Sequence, residues 1–308
     1  MVRKFVDPNI TVTGERRAEV MLTGLQTLWF NTGTLCNLAC RGCYIESSPR
    51  NDRLSYLTRA EVCRFLDEAR GRPELREIGF TGGEPFMNPD ILALLEDALA
   101  GGWRVLVLTN AMMPMRRHGA GLRALHQCFR GKLAVRVSID HYTPERHEQI
   151  RGARSWEPTI EGLRWLWRNG FDLAVAGRLL WDEGEVALRA GYRALFARLG
   201  IPIDADDPAR LVLFPEMDEA ADVPEITEHC WGILGKHPND VMCASSRMVV
   251  KHKGADRPTV VSCTLLPYDV RFDLGTTLAD AMRPVKLNHP HCAKFCVLGG
   301  ASCSARPE

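Results

Sequence analysis

The sequence predicts an α/β fold, with six strand–helix alternations between residues 25 and 214 expected to form a partial (βα)6 TIM-like barrel, followed by a small irregular C-terminal domain. Three observations carry this expectation. Short β-rich runs alternate with helical patterns, a pattern that calls for parallel strands joined by right-handed crossovers. The residues richest in chemistry, Cys36, Gly82, Asn110, Asp140 and Arg178, follow the ends of different strands, and that edge of a parallel sheet or barrel holds active sites. Past Phe214 the alternation stops, and an acidic stretch over 218–228 opens a cysteine-rich tail. An open doubly wound sheet would suit the same alternation. The expected boundaries are 1–24 for an N-terminal extension, 25–217 for the barrel and 218–308 for the C-terminal domain.

The first strand spans 25–30. Thr58 to Glu61 reads as a capping box that opens a helix, in which Val62, Phe65, Leu66 and Ala69 recur at helical spacing. A second strand over 77–80 ends in Thr81-Gly82-Gly83-Glu84-Pro85. Asn88 and Pro89 suit the N-cap and first position of a helix that runs to Ala100 and stops at Gly101-Gly102. Strands follow over 104–108 and 133–139, with a weaker helical pattern over 116–129 between them. Ile160, Leu163 and Trp167 mark a helix ended by Asn169-Gly170, followed by a strand over 171–176. A helix over 185–199 and a strand over 211–214 complete the alternation.

A length of 308 residues suffices for one large α/β domain and a small appended one. The 45% hydrophobic and 25% charged content match an ordinary globular protein. A net charge of +1 provides no overall field for nucleic acid or an anionic membrane. No signal-like segment opens the chain, and apolar runs such as 105–108 are strand-sized, so the expected location is the cytoplasm. There, clustered thiols serve as metal ligands more often than as bridges. Three of the 11 cysteines lie within 36–43 and five within 243–303, with Cys63, Cys128 and Cys230 scattered and read as buried thiols.

Cys36, Cys40 and Cys43 form a C-x3-C-x2-C loop directly after the first strand. Three thiolates so spaced can hold three corners of an iron–sulfur cube and leave one iron open. A structural zinc site or three buried thiols are the alternatives, but zinc knuckles pair C-x2-C units with a fourth ligand nearby, and none stands in this loop. Followed some forty residues later by Gly82-Gly83-Glu84-Pro85, the loop resembles the radical S-adenosylmethionine (AdoMet) superfamily over roughly residues 25–214.

The resemblance implies a [4Fe–4S] cluster on Cys36, Cys40 and Cys43 whose open iron binds AdoMet. Reductive cleavage of AdoMet to a 5′-deoxyadenosyl radical and hydrogen abstraction from a substrate carbon would follow. By the same resemblance Gly82, Gly83, Glu84 and Pro85 meet the amino group of AdoMet through backbone, where glycines permit close approach. Ser138 and Asp140 would hold the ribose. Asn110 is a further pocket candidate, and Arg178 is a candidate partner of the methionine carboxylate; a capping Asn and a surface Arg are the plainer readings. One departure is visible: many members carry an aromatic just before the third cysteine, whereas here Gly42 stands there and Tyr44 follows as the candidate AdoMet contact. His141, Tyr142 and His147 read either as substrate contacts or as an ordinary loop.

Cys243, Cys263, Cys292, Cys296 and Cys303, with Gly254 and Leu274-Gly275 between them, resemble the SPASM or shorter twitch extensions of that superfamily. That implies one auxiliary [4Fe–4S] cluster on Cys243, Cys263, Cys292 and Cys296, with Cys303 able to replace one of them; a zinc ribbon is the alternative. His289 and His291 flank Cys292 as further possible ligands. The expected activity is an oxidative or bond-forming modification of a small molecule or peptide, served by a low-potential donor such as flavodoxin or ferredoxin. Only 35 residues precede Cys36, which favours a small molecule or a peptide delivered by a separate protein. A non-catalytic iron–sulfur electron carrier or redox sensor, and a zinc-stabilised binding module, are the rival classes. Both would leave the α/β core without a task.

Overall fold

The structure is a computed structural model, and it describes residues 3–216 and 218–300; Cys303 lies outside the described residues. In chain order the elements are β1 (Glu19–Val20), β2 (Thr27–Asn31), α1 (Arg59–Ala69), β3 (Glu77–Thr81), α2 (Ile91–Ala100), β4 (Arg104–Thr109), α3 (Met113–Arg117), α4 (Gly119–Cys128), β5 (Leu133–Ser138), α5 (Pro144–Arg151), α6 (Trp156–Arg168), β6 (Asp172–Leu179), α7 (Glu185–Leu199), β7 (Leu211–Pro215), α8 (Cys230–Leu234), β8 (Ser246–Val250), β9 (Thr259–Val261), β10 (Asp273–Gly275) and β11 (Val285–Lys286).

Strands β2 to β7 pair in parallel in sequence order, as the alternation requires. The sheet does not end at β2. Strand β8 pairs parallel to β2, and β9 and β10 add antiparallel beyond it, giving nine strands in one open sheet. The segment expected to be irregular thus contributes three strands to the main sheet, and β11 pairs with β1.

The two faces of this sheet bury different partners, because successive side chains of a strand point to opposite sides. Leu28, Phe30, Ile78, Phe80, Val105, Val107, Val135 and Val137 share one core with residues of α1, α2, α6 and α7. Trp29, Leu106 and Met248 belong to the opposite core, together with Met242, Leu265 and Phe295 of the C-terminal segment. Gly79 is forced by this packing: a Cβ there would stand 2.3 Å from the Trp29 ring.

Several local expectations need correction. Asn88 accepts from the Asp90 amide at 2.8 Å, as a cap would, but the helix begins later than Pro89. Residues Pro85–Met87 form a 3-10 turn, the Asn88 amide donates to the carbonyls of Thr32 and Leu57, and α2 starts at Ile91 behind Asp90. The pattern over 116–129 breaks at His118 into α3 and α4. Residues 144–151 are a helix, not a loop. Cys128 is exposed, and Cys63 and Cys230 are only half-buried. The capping box at Thr58 and Glu61 forms as expected, with both reciprocal bonds present. Trp165 packs against the core while Trp167 is exposed. No helix among the described residues is long and apolar enough to cross a membrane.

The N-terminal segment is locked to the chain near residue 225 by a fully buried ion pair, Arg17 to Glu225 at 2.5 Å. The Glu225 carboxylate also accepts from the Phe5 and Val12 amides, each at 2.6 Å. Burial pushes this carboxyl upward, but those amides and the Arg17 cation outweigh it and hold the group below the ordinary range. Glu225→Ala should therefore cost about 3–5 kcal/mol in urea denaturation, because it strands a buried cation. A depressed folded value stabilises above the unfolded pKa and is lost as pH falls through the folded one. The parent should lose this increment on acidification below the ordinary carboxylate range, with the variant showing a shallower acid slope in the same titration.

Candidate active site and second cysteine cavity

The loop after β2 carries Cys36, Cys40 and Cys43, and it is fixed at several points. The Cys36 amide donates to Ser48, the Leu38 amide to the Cys36 sulfur, and the Arg41 amide to Ile150 at the end of α5. From the far side, the Tyr268 hydroxyl of the C-terminal segment donates to the Ile45 carbonyl.

The next loop docks directly on this one. Gly83 N–H donates to Gly33 at 2.8 Å and Glu84 N–H to Leu35 at 3.1 Å. A Cβ at Gly83 would stand 2.3 Å from the Leu35 carbonyl oxygen and 2.5 Å from that of Thr34. Glycine is thus demanded first by contact with the cysteine loop's own backbone. Glu84 turns inward and is buried. Its carboxylate accepts from the Thr109 hydroxyl at 2.7 Å, the Asn110 amide at 2.9 Å and the Phe86 amide. Burial pushes that carboxyl up to about 7 against these hydrogen bonds. Asn110 in turn donates to Asn37 at 2.9 Å, so the loop after β4 holds the cysteine loop as well.

These loops frame a cavity of about 180 Å³ at the carboxyl edge of the sheet. Cys36, Cys40 and Cys43 line it together with Tyr44, Gly82, Gly83, Asn110, Ser138, Asp140 and Arg178. Every residue expected to serve the cofactor therefore reaches one space, except Glu84 and Pro85, which do not line it and act behind it. The Arg178 guanidinium lies over the cysteine loop, with Nη1 3.3 Å from the Gly42 carbonyl. The Asp140 carboxylate is held by a part-buried Arg151 at 2.8 and 3.3 Å. His141 and Tyr142 do not line the cavity; both bind Glu183, at 2.9 and 2.5 Å. His147 is buried edge-on against Trp156.

Two lining cations escaped the sequence reading. Arg136 had a signal, since it lies two residues before Ser138 on β5 and so shares its face. Arg151 had none, because α5 was not recognised. Apolar side chains from β7 and the C-terminal segment, Phe214, Leu265 and Phe295, close the far wall.

A second, smaller cavity of about 20 Å³ is lined by Cys243, Cys263, Cys292 and Cys296 with His291 beside them. Its free space holds little more than a water molecule, so the four thiols surround a space too small for a substrate. Leu265 lines both cavities. Burial pushes the Cys36 and Cys292 thiols up to about 12 and Cys243 up to about 11. They are protonated in the ligand-free chain. Among the described residues no three His, Cys, Asp or Glu side chains meet at the spacing of ligands to one metal ion. The thiols ring spaces instead. The donor sets suit a thiolate-bound cluster, with three thiols beside a larger cavity in one case and four around a small space in the other.

Comparison with known proteins agrees with this architecture. The chain belongs to the radical SAM superfamily, whose family model matches residues 30–183; members are enzymes that use a [4Fe–4S] cluster and AdoMet. Among curated relatives, it is 30% identical over 157 residues to the antilisterial bacteriocin subtilosin biosynthesis protein AlbA of Bacillus subtilis, covering 49% of this chain and 34% of that one. It is 30% identical over 186 residues to GTP 3′,8-cyclase of Rhodococcus opacus, covering 56% and 50%. The chain thus spans half or less of the length of these relatives. Among solved structures, Streptococcus suis SuiB bound to S-adenosylmethionine superposes with a TM-score of 0.59 at 13% identity, over 81% of this chain and 63% of that one. This shows a shared fold.

The contact of Gly83 with the cysteine loop makes a direct prediction. Gly83→Ala should destabilise the chain by about 1–3 kcal/mol through overpacking against backbone, and it should lower iron uptake on anaerobic reconstitution. Urea denaturation and an iron assay check the two halves, and unchanged iron uptake would separate the loop contact from the cysteine site.

Proposed function

We propose that this chain is an AdoMet-cleaving radical enzyme that modifies a peptide or small molecule oxidatively or by bond formation. The observation that carries the reading is the convergence of Cys36, Cys40, Cys43, Gly82, Gly83, Ser138 and Asp140 on one cavity. In this reading the three cysteines hold the [4Fe–4S] cluster, and Cys243, Cys263, Cys292 and Cys296 hold an auxiliary one. When bound, the first cluster and AdoMet would supply reductive carbon–sulfur cleavage and a 5′-deoxyadenosyl radical for hydrogen abstraction.

The chain's own residues bind, orient and exclude water. Gly82 and Gly83 line the cavity with backbone, and the absence of a Cβ at each lets that backbone pack against the loop after β2. Ser138 and Asp140 present a hydroxyl and a carboxylate suited to ribose hydroxyls, and Tyr44, Asn110 and Arg178 complete the polar rim. Phe214, Leu265 and Phe295 keep the opposite wall apolar, which limits access of water to reactive species. SuiB has been solved with its precursor peptide SuiA bound, and AlbA is named for bacteriocin biosynthesis; both favour a peptide here, while the cyclase relative keeps a small molecule open. A cytoplasmic setting with a low-potential donor such as flavodoxin or ferredoxin fits the reductive chemistry.

Reconstituted protein with AdoMet and dithionite should form 5′-deoxyadenosine, and Cys40→Ala should abolish it; persistence in the variant would overturn the cluster assignment. The Cys36/Cys40/Cys43→Ala triple variant should retain about four irons, the content of one cubane. Zinc in their place would make the C-terminal site a zinc site.

A further inference from the structure

Beside the second cavity lies a charge without a counterpart. Arg247 on β8 is 1% exposed. Its guanidinium donates only to main-chain carbonyls: Nε to Ala281, Nη1 to Cys243 and Ser246, and Nη2 to Arg283. Among the described residues no carboxylate pairs with it, and the ionisable groups facing it are the Cys243 and Cys263 thiols. Carbonyl dipoles satisfy the donors but do not cancel the charge, and a buried cation left uncompensated is strongly destabilising. By contrast, the equally buried Arg17 has a carboxylate partner in Glu225, and Arg151 at the first cavity has one in Asp140.

We propose that Arg247 is the built-in countercharge of an anionic iron–sulfur cluster held by Cys243, Cys263, Cys292 and Cys296, and that it raises the reduction potential of that cluster. Four thiolates outweigh the positive core they bind and leave a net anion, and each added electron makes the anion larger. A fixed cation bonded to the Cys243 carbonyl would therefore favour the reduced form, since net charge and hydrogen bonding set such potentials. The same guanidinium holds the Cys243 carbonyl, so charge and ligand geometry are delivered by one side chain. Arg247 acts through the cluster and touches no substrate; it is a positioning and tuning residue. The inference rests on the reading of those four cysteines as ligands given above.

The test uses the full chain with Cys36, Cys40 and Cys43 changed to Ala, so that any cluster signal belongs to the second site. Iron and sulfide content and the potential from EPR-monitored redox titration are compared for Arg247, Arg247→Gln and Arg247→Lys. Expected is parent-level iron in all three, with the Gln form reduced at least tenfold less readily, about 59 mV lower for one electron, and the Lys form close to the parent. Arg247→Met, which removes the charge and fills the space, carries the same comparison should the Gln form not fold. A loaded Gln or Met form with the parent's potential would overturn the proposal while leaving the four ligands standing. Absence of iron from the Arg247 parent would overturn the ligand reading itself. A role confined to bridging carbonyls would move stability but leave the potential of loaded protein unchanged.

Discussion

The carboxylate of Glu84 is the constraint on which the first site depends. Its backbone amide is given to the loop after β2, and its side chain accepts from the backbone and hydroxyl of the loop after β4. Three consecutive loops at the carboxyl edge of the sheet are thus joined through one buried residue. Each of these groups would otherwise be a desolvated donor or acceptor without a partner, an expensive state in a closed interior. Removing the carboxylate therefore strands several groups at once. The cysteine loop is presented to the cavity by this network, and no strand of its own supports it between Asn31 and Arg59.

The opposite support comes from the C-terminal segment. Because β8 continues the parallel sheet beyond β2, the segment that bears the second group of cysteines is tied by a full ladder to the strand that leads into the first group. Tyr268 reaches across to the Ile45 carbonyl, and Leu265 forms a wall common to both cavities. The two cysteine groups are therefore parts of one packed unit. A change in the C-terminal segment is felt at the first cavity through its apolar wall, which is also where a substrate would be enclosed.

Much of this was legible in the sequence, for identifiable reasons. The six parallel strands are buried on both faces or nearly so, and they read as short apolar runs bounded by glycine and asparagine. The cysteine spacing and the Gly82-Gly83 turn are local signals, and the strand ends they follow fix which edge they share. Helix α5 was not legible because Pro-Glu-Arg-His-Glu-Gln-Ile-Arg has almost no apolar stripe; it buries only His147 and Ile150. Losing α5 concealed Arg151, and with it the pairing that holds Asp140. Strands β9 and β10, three residues each, were hidden by their brevity and by a register shift between Asp273 and Gly275. The role of Glu84 was not legible either, since the motif marks the residue but cannot show that its carboxylate faces away from the cavity.

The two cavities differ in how their buried cations are balanced, and the difference follows from what each would hold. At the first, Arg151 faces Cys36 and Cys40 but is already paired with Asp140, and Arg136 and Arg178 in the same lining leave the space suited to a small polar molecule that carries a negative group. At the second, the cation beside Cys243 and Cys263 is met only by carbonyls. A buried charge balanced solely by dipoles favours a permanent anionic resident over an exchanging one. Thiols pushed well above their ordinary range by burial would have to surrender protons to such a resident, and the adjacent guanidinium offsets part of that cost. Small, ringed by four thiols and flanked by a buried cation, the second site suits retention. The first, larger and with its Arg151–Asp140 pair already made, suits turnover.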